Sequence, residues 1–294
     1  MKLIGKAIKS VVFLWVACAL AGALLALGAA TIARGQGQIP NVNSDDGIRY
    51  ARGQNVVPAF EGWVPNPDGT FSLVFGYFNR NWEEEMFIPI GPDNHIEPGG
   101  PDRGQPTAFG PRRGKNVFEI VVPKDFGKNE VVWTLTSRGK TEKAFGRLIP
   151  QEVITRRMVL AGDILLASAA AGDDDVGDEG DPNQPPSVTI DSAQPISLAL
   201  PNPATLSASV SDDGLPKPGP DRLGRPRLGL KVAWSLYRGS AHVTFNPQTC
   251  QLPTRTGGKA TTAANFSAPG TYVLRAAATD GQLSTHADVT VVVK

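Results

Sequence analysis

Residues 269–281, PGTYVLRAAATDG, decide the fold class of this 294-residue chain. Tyr272, Leu274, Ala276 and Ala278 occupy alternate positions of the stretch, and glycines stand near both of its ends. Because side chains of a β-strand point alternately to opposite faces, this spacing puts the four apolar residues on one face. The stretch therefore predicts a β-strand with one buried face.

The same alternation recurs elsewhere in residues 183–294 and predicts an antiparallel β-sandwich domain there. Two stacked sheets would bring these apolar faces together as one core. Since Cys250 is the only cysteine outside the N-terminal apolar run, apolar packing and not an internal disulfide must hold the sheets. The further inward sets are Leu206, Ala208 and Val210; Val232, Trp234 and Leu236; and Val289, Val291 and Val293.

This C-terminal region resembles the bacterial PKD-type immunoglobulin-like domains. The resemblance covers most of residues 183–294 and none of the chain before them. It implies a buried strand-C tryptophan at Trp234 and a tyrosine corner at Tyr272, with Leu274 where antibody domains place a cysteine. The family's usual Trp-Asp-Phe-Gly-Asp-Gly run is absent, so the match is to a divergent branch. The stretches that carry it are NQPP (183–186), SVTI (187–190), ATLSASVSDDG (204–214), VAW (232–234), PGTYVLRAAATDG (269–281) and the terminal run 287–293.

The resemblance also raises calcium as a candidate cofactor. Some PKD-like and related sandwiches hold calcium near the loops that contain Asp212, Asp213 and Asp280 in this chain. The alternative, which the sequence favours, is that these aspartates simply form turns beside glycine. No other cofactor is expected.

Residues 55–150 show the same period of two and predict a second antiparallel sandwich. Phe71, Leu73, Phe75 and Tyr77 alternate along one strand, which follows a turn at Asn66–Gly69. The other predicted strands lie at 59–64, 86–90, 117–122, 131–136 and 143–148.

Residues 91–115, GPDNHIEPGGPDRGQPTAFGPRRGK, interrupt this pattern. Their prolines and glycines predict a long loop without regular strand pairing through most of its length, and long loops in compact domains are often functional. The loop contains His95, Arg103, Arg112 and Arg113 as candidate ligand-binding residues, because arginine offers forked donors to carboxylates and phosphates. The favoured alternative is a solvated crossover.

Trp82 is the aromatic residue that the sequence predicts to be exposed. It lies between the polar run Asn79–Asn81 and three glutamates at 83–85, whereas the alternation buries Phe75 and Tyr77. An exposed aromatic on a sandwich can stack on a sugar ring or pack against a protein, and core packing is the competing interpretation.

The remaining segments organise the chain around these two domains. Residues 1–35 combine lysines with a long uncharged apolar run, which predicts a signal peptide or an uncleaved membrane anchor. Both place the rest of the chain outside the cytoplasm, whether periplasmic, secreted or anchored. Residues 36–54 are a predicted flexible lead-in, and residues 151–182 a short helix followed by an acidic spacer.

The predicted fold class is therefore all-β, with two immunoglobulin-like antiparallel sandwiches. A net charge of +1 offers no field for nucleic acid, and membrane contact is expected only through an uncleaved N-terminal segment. No catalytic motif is recognisable. We expect an exported non-catalytic binding or structural module that engages protein or carbohydrate. The alternative is a hydrolase with its site in the loop at 91–113.

Overall fold

Two groups of β-sheets account for nearly all regular structure in the computed structural model. The model describes residues 49–161, 180–192, 194–219 and 229–294. The predicted signal or anchor segment, most of the lead-in and most of the acidic spacer lie outside the described residues. Residues 50–294 form one compact unit. No helix among the described residues is long and apolar enough to cross a membrane.

The first group of sheets spans residues 56–146 and forms the first sandwich. One three-stranded sheet has the order β1-β2-β6, a second has the order β4-β7-β8, and β3 pairs with β5. All these pairings are antiparallel. The strands are β1 (Val56–Pro65), β2 (Phe71–Asn79), β3 (Met86–Phe87), β4 (Asn94–Glu97), β5 (Ala108–Phe109), β6 (Arg112–Val122), β7 (Val131–Ser137) and β8 (Lys140–Gly146).

Aromatic side chains fill the core of the first sandwich. The Phe118 ring lies 5.4 Å from Phe75 in a stacked arrangement and meets the Trp133 ring edge-on at 5.0 Å. Tyr77 packs edge-on against Phe109, also in the core. Rings in these geometries stabilise a core beyond the area that they bury, and the predicted burial of Phe75 and Tyr77 is confirmed.

Most of the predicted loop at 91–115 is unpaired, as expected, but the structure places short strands within it. Residues 94–97 form β4, residues 108–109 form β5, and β6 already begins at Arg112. Pro92 and Pro98 bound β4 and do not exclude it, because neither lies inside the paired residues. The predicted strand at 86–90, in turn, is only two residues long as β3.

Asn94 explains why a strand forms in so short a segment. Its buried side-chain amide donates to the carbonyl oxygens of Ile88 and Pro106, each at 2.9 Å. Its Oδ1 accepts a hydrogen bond from Trp133 Nε1 at 3.0 Å. A fully satisfied buried amide fixes the segment to the core.

The second group of sheets spans residues 187–293 and forms the second sandwich. Its sheets have the orders β13-β15-β11-β9 and β10-β17-β16-β12-β14. Only the short β10 joins its neighbour in parallel. The strands are β9 (Ser187–Ile190), β10 (Ile196–Leu198), β11 (Ala204–Ser211), β12 (Lys231–Arg238), β13 (Val243–Asn246), β14 (Thr249–Gln251), β15 (Gly257–Phe266), β16 (Gly270–Thr279) and β17 (Ser284–Val293).

This order gives the second sandwich an immunoglobulin-like topology. Strands β9, β11, β15 and β13 take the places of A, B, E and D, and β12, β16 and β17 those of C, F and G. Trp234 on β12 is fully buried, as predicted. The Tyr272 hydroxyl donates to the carbonyl oxygen of Ala268 at 2.7 Å, which is the bond of a tyrosine corner. The other predicted inward residues are buried too, except Leu236, which is partly buried.

A segment that we call the strap, residues 149–161, follows the first sandwich and lies on the outer face of its first sheet. It contains a 3-10 helix (Pro150–Glu152) and the helix α1 (Arg156–Ala161), the described part of the predicted helix. Val159 packs there with Val64 and Val74. Gly62 permits this approach, because a Cβ on it would stand 2.6 Å from the carbonyl oxygen of Glu152.

Candidate binding surface and acidic cluster

The candidate residues of the 91–115 segment do not converge on one site. Arg113 Nη2 contacts both carboxylate oxygens of Glu61, at 2.7 and 2.6 Å. Arg103 donates to the carbonyl oxygen of Pro98 at 2.9 Å, and His95 Nδ1 lies 3.0 Å from the carbonyl oxygen of Pro92. Arg103, Arg113 and His95 therefore engage groups of their own chain.

An open groove of about 740 Å³ lies along β4 and the loop after it. His95 and Glu97 line it together with Ile96, three prolines and three glycines. None of these lining residues, all of them described, carries a hydroxyl or thiol nucleophile, and Glu97 is their one carboxylate. The groove thus lacks the paired groups that a serine-type or a two-carboxylate hydrolase uses.

Trp82 and Arg112 form an exposed stacked pair. Trp82 is 41% exposed, which agrees with the sequence expectation. The guanidinium carbon of Arg112 lies 4.1 Å from the centre of the Trp82 ring and 4.9 Å from that of Phe78. This is cation–π geometry. Tyr50 is exposed as well, and its carbonyl oxygen accepts a hydrogen bond from Trp82 N at 3.0 Å. We call Phe78, Trp82 and Arg112 the aromatic patch.

Buried asparagines hold the aromatic patch in place. Asn81 Oδ1 accepts a hydrogen bond from Gln54 N at 2.7 Å, and its amide donates to Asn79 Oδ1 at 2.8 Å. Asn79 in turn donates to the carbonyl oxygen of Phe109 at 3.0 Å. Arg112 N also donates to the carbonyl oxygen of Asn81, at 3.2 Å. Since both asparagines are buried, their hydrogen bonds hold the backbone around the patch in one conformation.

The loop that follows β4 contacts the second sandwich. Asp102 receives two hydrogen bonds from the Arg238 guanidinium, at 2.8 and 3.1 Å. Arg238 Nε also donates to the carbonyl oxygen of Gln105 at 2.9 Å. Thr107 N donates to the carbonyl oxygen of Tyr237 at 3.2 Å. Asp102 and the backbone of this loop thus join the two sandwiches.

A buried arginine completes this contact between the sandwiches. Arg275 is 6% exposed and pairs with Asp288 through Nε and Nη2, at 2.8 and 3.0 Å. Its Nη1 donates to the carbonyl oxygen of Val117 in the first sandwich at 2.9 Å. This role of Arg275 was not predicted from the sequence, although an arginine that interrupts the apolar run of β16 indicates a buried partner.

The candidate calcium ligands lie in two turns, as the alternative interpretation expected. Both carboxylate oxygens of Asp213 accept backbone hydrogen bonds, from Gln184 N at 2.9 Å and Leu215 N at 2.8 Å. Asp280 Oδ1 accepts bonds from the amides of Gln282 and Leu283, at 2.6 and 2.7 Å. These are the side-chain-to-backbone bonds of aspartate turns.

Two buried oxygens near these turns, Asp212 Oδ1 and Asn183 Oδ1, nevertheless accept no hydrogen bond. Asp280 is 2% exposed and Asn183 1% exposed. A buried acceptor without a donor is costly. We call Asn183, Asp212 and Asp280 the acidic cluster; the sequence analysis missed Asn183.

Burial and mutual repulsion disfavour the charged forms of these carboxyls. Burial raises the pKa of Asp212 to about 6, and the negative charges of Asp280 and Asp213 add to the effect. Burial also raises the pKa of Asp280, where Asp213 adds repulsion while hydrogen bonds from backbone amides and from the Asn183 side chain oppose the shift. A positive charge at this point would relieve both effects.

The donor set of the acidic cluster is smaller than the set that calcium takes. Calcium binds about six to eight oxygens in proteins, whereas the cluster offers two carboxylates and one amide oxygen. No group of three or more His, Cys, Asp or Glu side chains in the described ranges could hold a metal ion.

No family model and no curated protein matches the chain. Among solved structures, domains 4 and 5 of the S-layer protein SbsC are 13% identical in sequence to this chain, with a TM-score of 0.24. The match covers 56% of this chain and 65% of theirs. The D00-D0 domain of intimin is 12% identical in sequence, with a TM-score of 0.25. That match covers 82% of this chain and the whole of the intimin domain. TM-scores this low support no conclusion about function. The immunoglobulin-like topology described above is inferred from the strand pairing alone.

Proposed function

We propose that the protein is an exported, non-catalytic module that binds a protein partner through the aromatic patch. The observation that carries this proposal is the exposed Trp82 ring with Arg112 stacked on it. Tryptophan, tyrosine and arginine are the residues most enriched at the energetic centres of protein interfaces. Export is supported by the predicted signal or anchor segment at residues 1–35.

The fixed base of the patch supports a binding role. The buried side chains of Asn79 and Asn81 hold the backbone around Trp82 before any partner arrives. Binding then costs less ordering of the chain, which leaves more of the contact energy as affinity. A residue that only covered the core would need neither this exposure nor this support.

Protein is favoured over carbohydrate as the partner class. Sugar rings stack on a flat aromatic face, and Arg112 already covers Trp82 at 4.1 Å. Arginine beside tryptophan presents charge and apolar area together, which suits a protein surface. The hydrolase alternative is less favoured, because the groove beside His95 has a single carboxylate and no nucleophile among its lining residues.

The test combines chemical cross-linking to envelope proteins of the producing cell with a glycan array. We expect residues 36–294 to capture a protein partner, Trp82→Ala to weaken that capture at least about tenfold, and the array to stay blank. Val121→Ser is the matched control, since Val121 is 59% exposed in the same sandwich. Glycan binding that requires Trp82, or equal capture by wild type and Trp82→Ala, would overturn the proposal.

A further inference from the structure

The guanidinium of Arg112 is held in place, but its hydrogen-bond donors are unused. The rings of Trp82 and Phe78 lie 4.1 and 4.9 Å from its central carbon. Within the described ranges this guanidinium makes no hydrogen bond and no ion pair, and none of its nitrogens is buried away from water without a partner. Its N–H groups are therefore open to a ligand from outside the chain.

The backbone of Arg112 also fixes the position of this side chain. Arg112 has a φ of 69°, in the left-handed region that residues other than glycine rarely adopt. Its N–H donates to the carbonyl oxygen of Asn81 at 3.2 Å, which ties the strained residue to the segment that carries Trp82. Strained backbone persists where the surrounding structure enforces it, and such positions concentrate at functional sites.

Two further arginines without ion-pair partners lie near the aromatic patch. Arg80 stands two residues before Trp82. Arg52 directly follows Ala51, whose carbonyl oxygen accepts a hydrogen bond from Glu83 N at 3.0 Å. Arg52 and Arg80 are exposed, and in the part of the chain that the structure describes their side chains have no carboxylate partner. The patch is therefore surrounded by uncompensated positive charge.

The carboxylates of this region are mostly engaged by other side chains. Of the three glutamates at 83–85, only Glu83 has no partner among the described residues. Three arginines thus face one glutamate, and a surface of this charge is complementary to an acidic partner. The pairs already formed are Arg113 with Glu61 at 2.6 Å, Arg138 with Glu84 at 2.5 Å and His242 with Glu85 at 2.9 Å.

We infer that the partner of the aromatic patch is an acidic protein segment, one of whose carboxylates is bound by the fork of Arg112 while its neighbouring apolar atoms pack on Trp82. This inference rests on the proposed protein-binding role of the patch and adds the chemistry of the partner. A guanidinium matches a carboxylate with two parallel hydrogen bonds. Because stacking on Trp82 already orients this guanidinium, little side-chain freedom is lost on binding.

The test selects short random peptides, displayed on phage, on residues 36–294 and in parallel on Trp82→Ala. We expect the peptides that are recovered only with the wild type to contain an Asp or Glu that is essential for binding. Fluorescence anisotropy of the strongest peptide, made synthetically, then gives its Kd for each variant. The affinity should fall as the salt concentration rises, since exposed charges are screened.

Arg112→Gln should raise the Kd of this peptide at least about tenfold, because it removes a charge-assisted pair of hydrogen bonds. Arg112→Lys keeps the charge without the fork and should restore only part of the affinity. Glu83→Gln should lower the Kd by up to about fivefold, since it removes a like charge. Arg147→Gln is the matched control and should bind as the wild type, because Arg147 lies 6.0 Å from the Phe145 ring but already pairs with Glu130.

A double-mutant comparison completes the test. Replacing the essential carboxylate of the peptide by its amide should weaken binding to the wild type but not to Arg112→Gln. Thermal unfolding checks that each variant is folded at the temperature of the measurement. Peptides that need Trp82 but no carboxylate, or equal binding by the wild type and Arg112→Gln, would overturn the inference and leave the protein-binding role intact. Recovery of no peptide that depends on Trp82 would overturn both.

Discussion

The guanidinium carbon of Arg275 lies 3.8 Å from the centre of the Tyr237 ring, at the contact between the two sandwiches. Both residues belong to the second sandwich, and each reaches the first one. Arg275 donates to the carbonyl oxygen of Val117, and the Tyr237 hydroxyl donates to that of Gly104. The cation–π contact orients the side chains of Arg275 and Tyr237 together. Each of them then donates one hydrogen bond to the first sandwich.

Arg275→Met should therefore destabilise the chain by about 1.5–3 kcal/mol, because it removes the charge-assisted hydrogen bonds to Asp288 and to the carbonyl oxygen of Val117. Urea denaturation followed by tryptophan fluorescence measures the loss. Arg147→Met is the matched control, since Arg147 pairs with Glu130 at 3.5 Å on the surface and should cost less than about 1 kcal/mol. Equal losses of stability in the two variants would show that Arg275 does not stabilise the contact between the two sandwiches.

Trp234→Ala should cost about 3–5 kcal/mol, as is usual for a large buried aromatic side chain. Trp234 is fully buried between the sheets of the second sandwich. Trp82→Ala should cost about 1 kcal/mol or less, because it removes only the exposed cation–π contact with Arg112. The same denaturation experiment compares them. A small loss for Trp234→Ala would contradict its central place in the core.

Tyr272→Phe should cost about 1 kcal/mol, the usual worth of one hydrogen bond in a folded protein. The variant keeps the buried ring and removes only the hydroxyl that bonds to Ala268. Tyr50→Phe removes a hydroxyl from an exposed ring and should have no measurable effect. If both variants were equally stable in thermal unfolding, the tyrosine corner would not contribute.

The ion pair between Asp102 and Arg238 should make the stability of the contact between the two sandwiches depend on pH. The hydrogen bonds from Arg238 lower the pKa of Asp102 below its ordinary value. A carboxyl with a lowered pKa in the folded state contributes stability above its unfolded pKa of about 3.9, and that contribution is lost as the pH falls through the folded pKa.

Asp102→Asn should therefore be less stable than the wild type at pH 7, by up to about 1 kcal/mol for a half-exposed pair, and the gap should close below about pH 4. Thermal unfolding across pH 3 to 7 measures this difference. A gap that stayed constant over the whole range would show that the charge of Asp102 is not involved.

Local periodicity was sufficient to predict most of the strands but not the contacts between the sandwiches. The alternation around Trp234 and Tyr272 reports directly which side chains face a core, so both residues were placed from the sequence. Strand β4 was missed because it depends on Asn94, whose partner Trp133 lies 39 residues away. A polar residue with a distant partner leaves no periodic signal.

The candidate sites divide in the same way. Exposure of Trp82 followed from its polar neighbours, which are local. That Arg112 stacks on Trp82, that Asp102 binds Arg238, and that Asn183 accompanies Asp280 all depend on strand register and on packing between sandwiches. None of these relations has a spacing rule that one sequence could reveal.

Differential scanning calorimetry of residues 36–294 tests most directly whether the contacts of Asp102 and Arg275 join the two sandwiches into one cooperative unit. We expect one cooperative transition for the wild type, and two separate transitions when Asp102→Asn and Arg275→Met are combined. Two independent transitions in the wild type would contradict it.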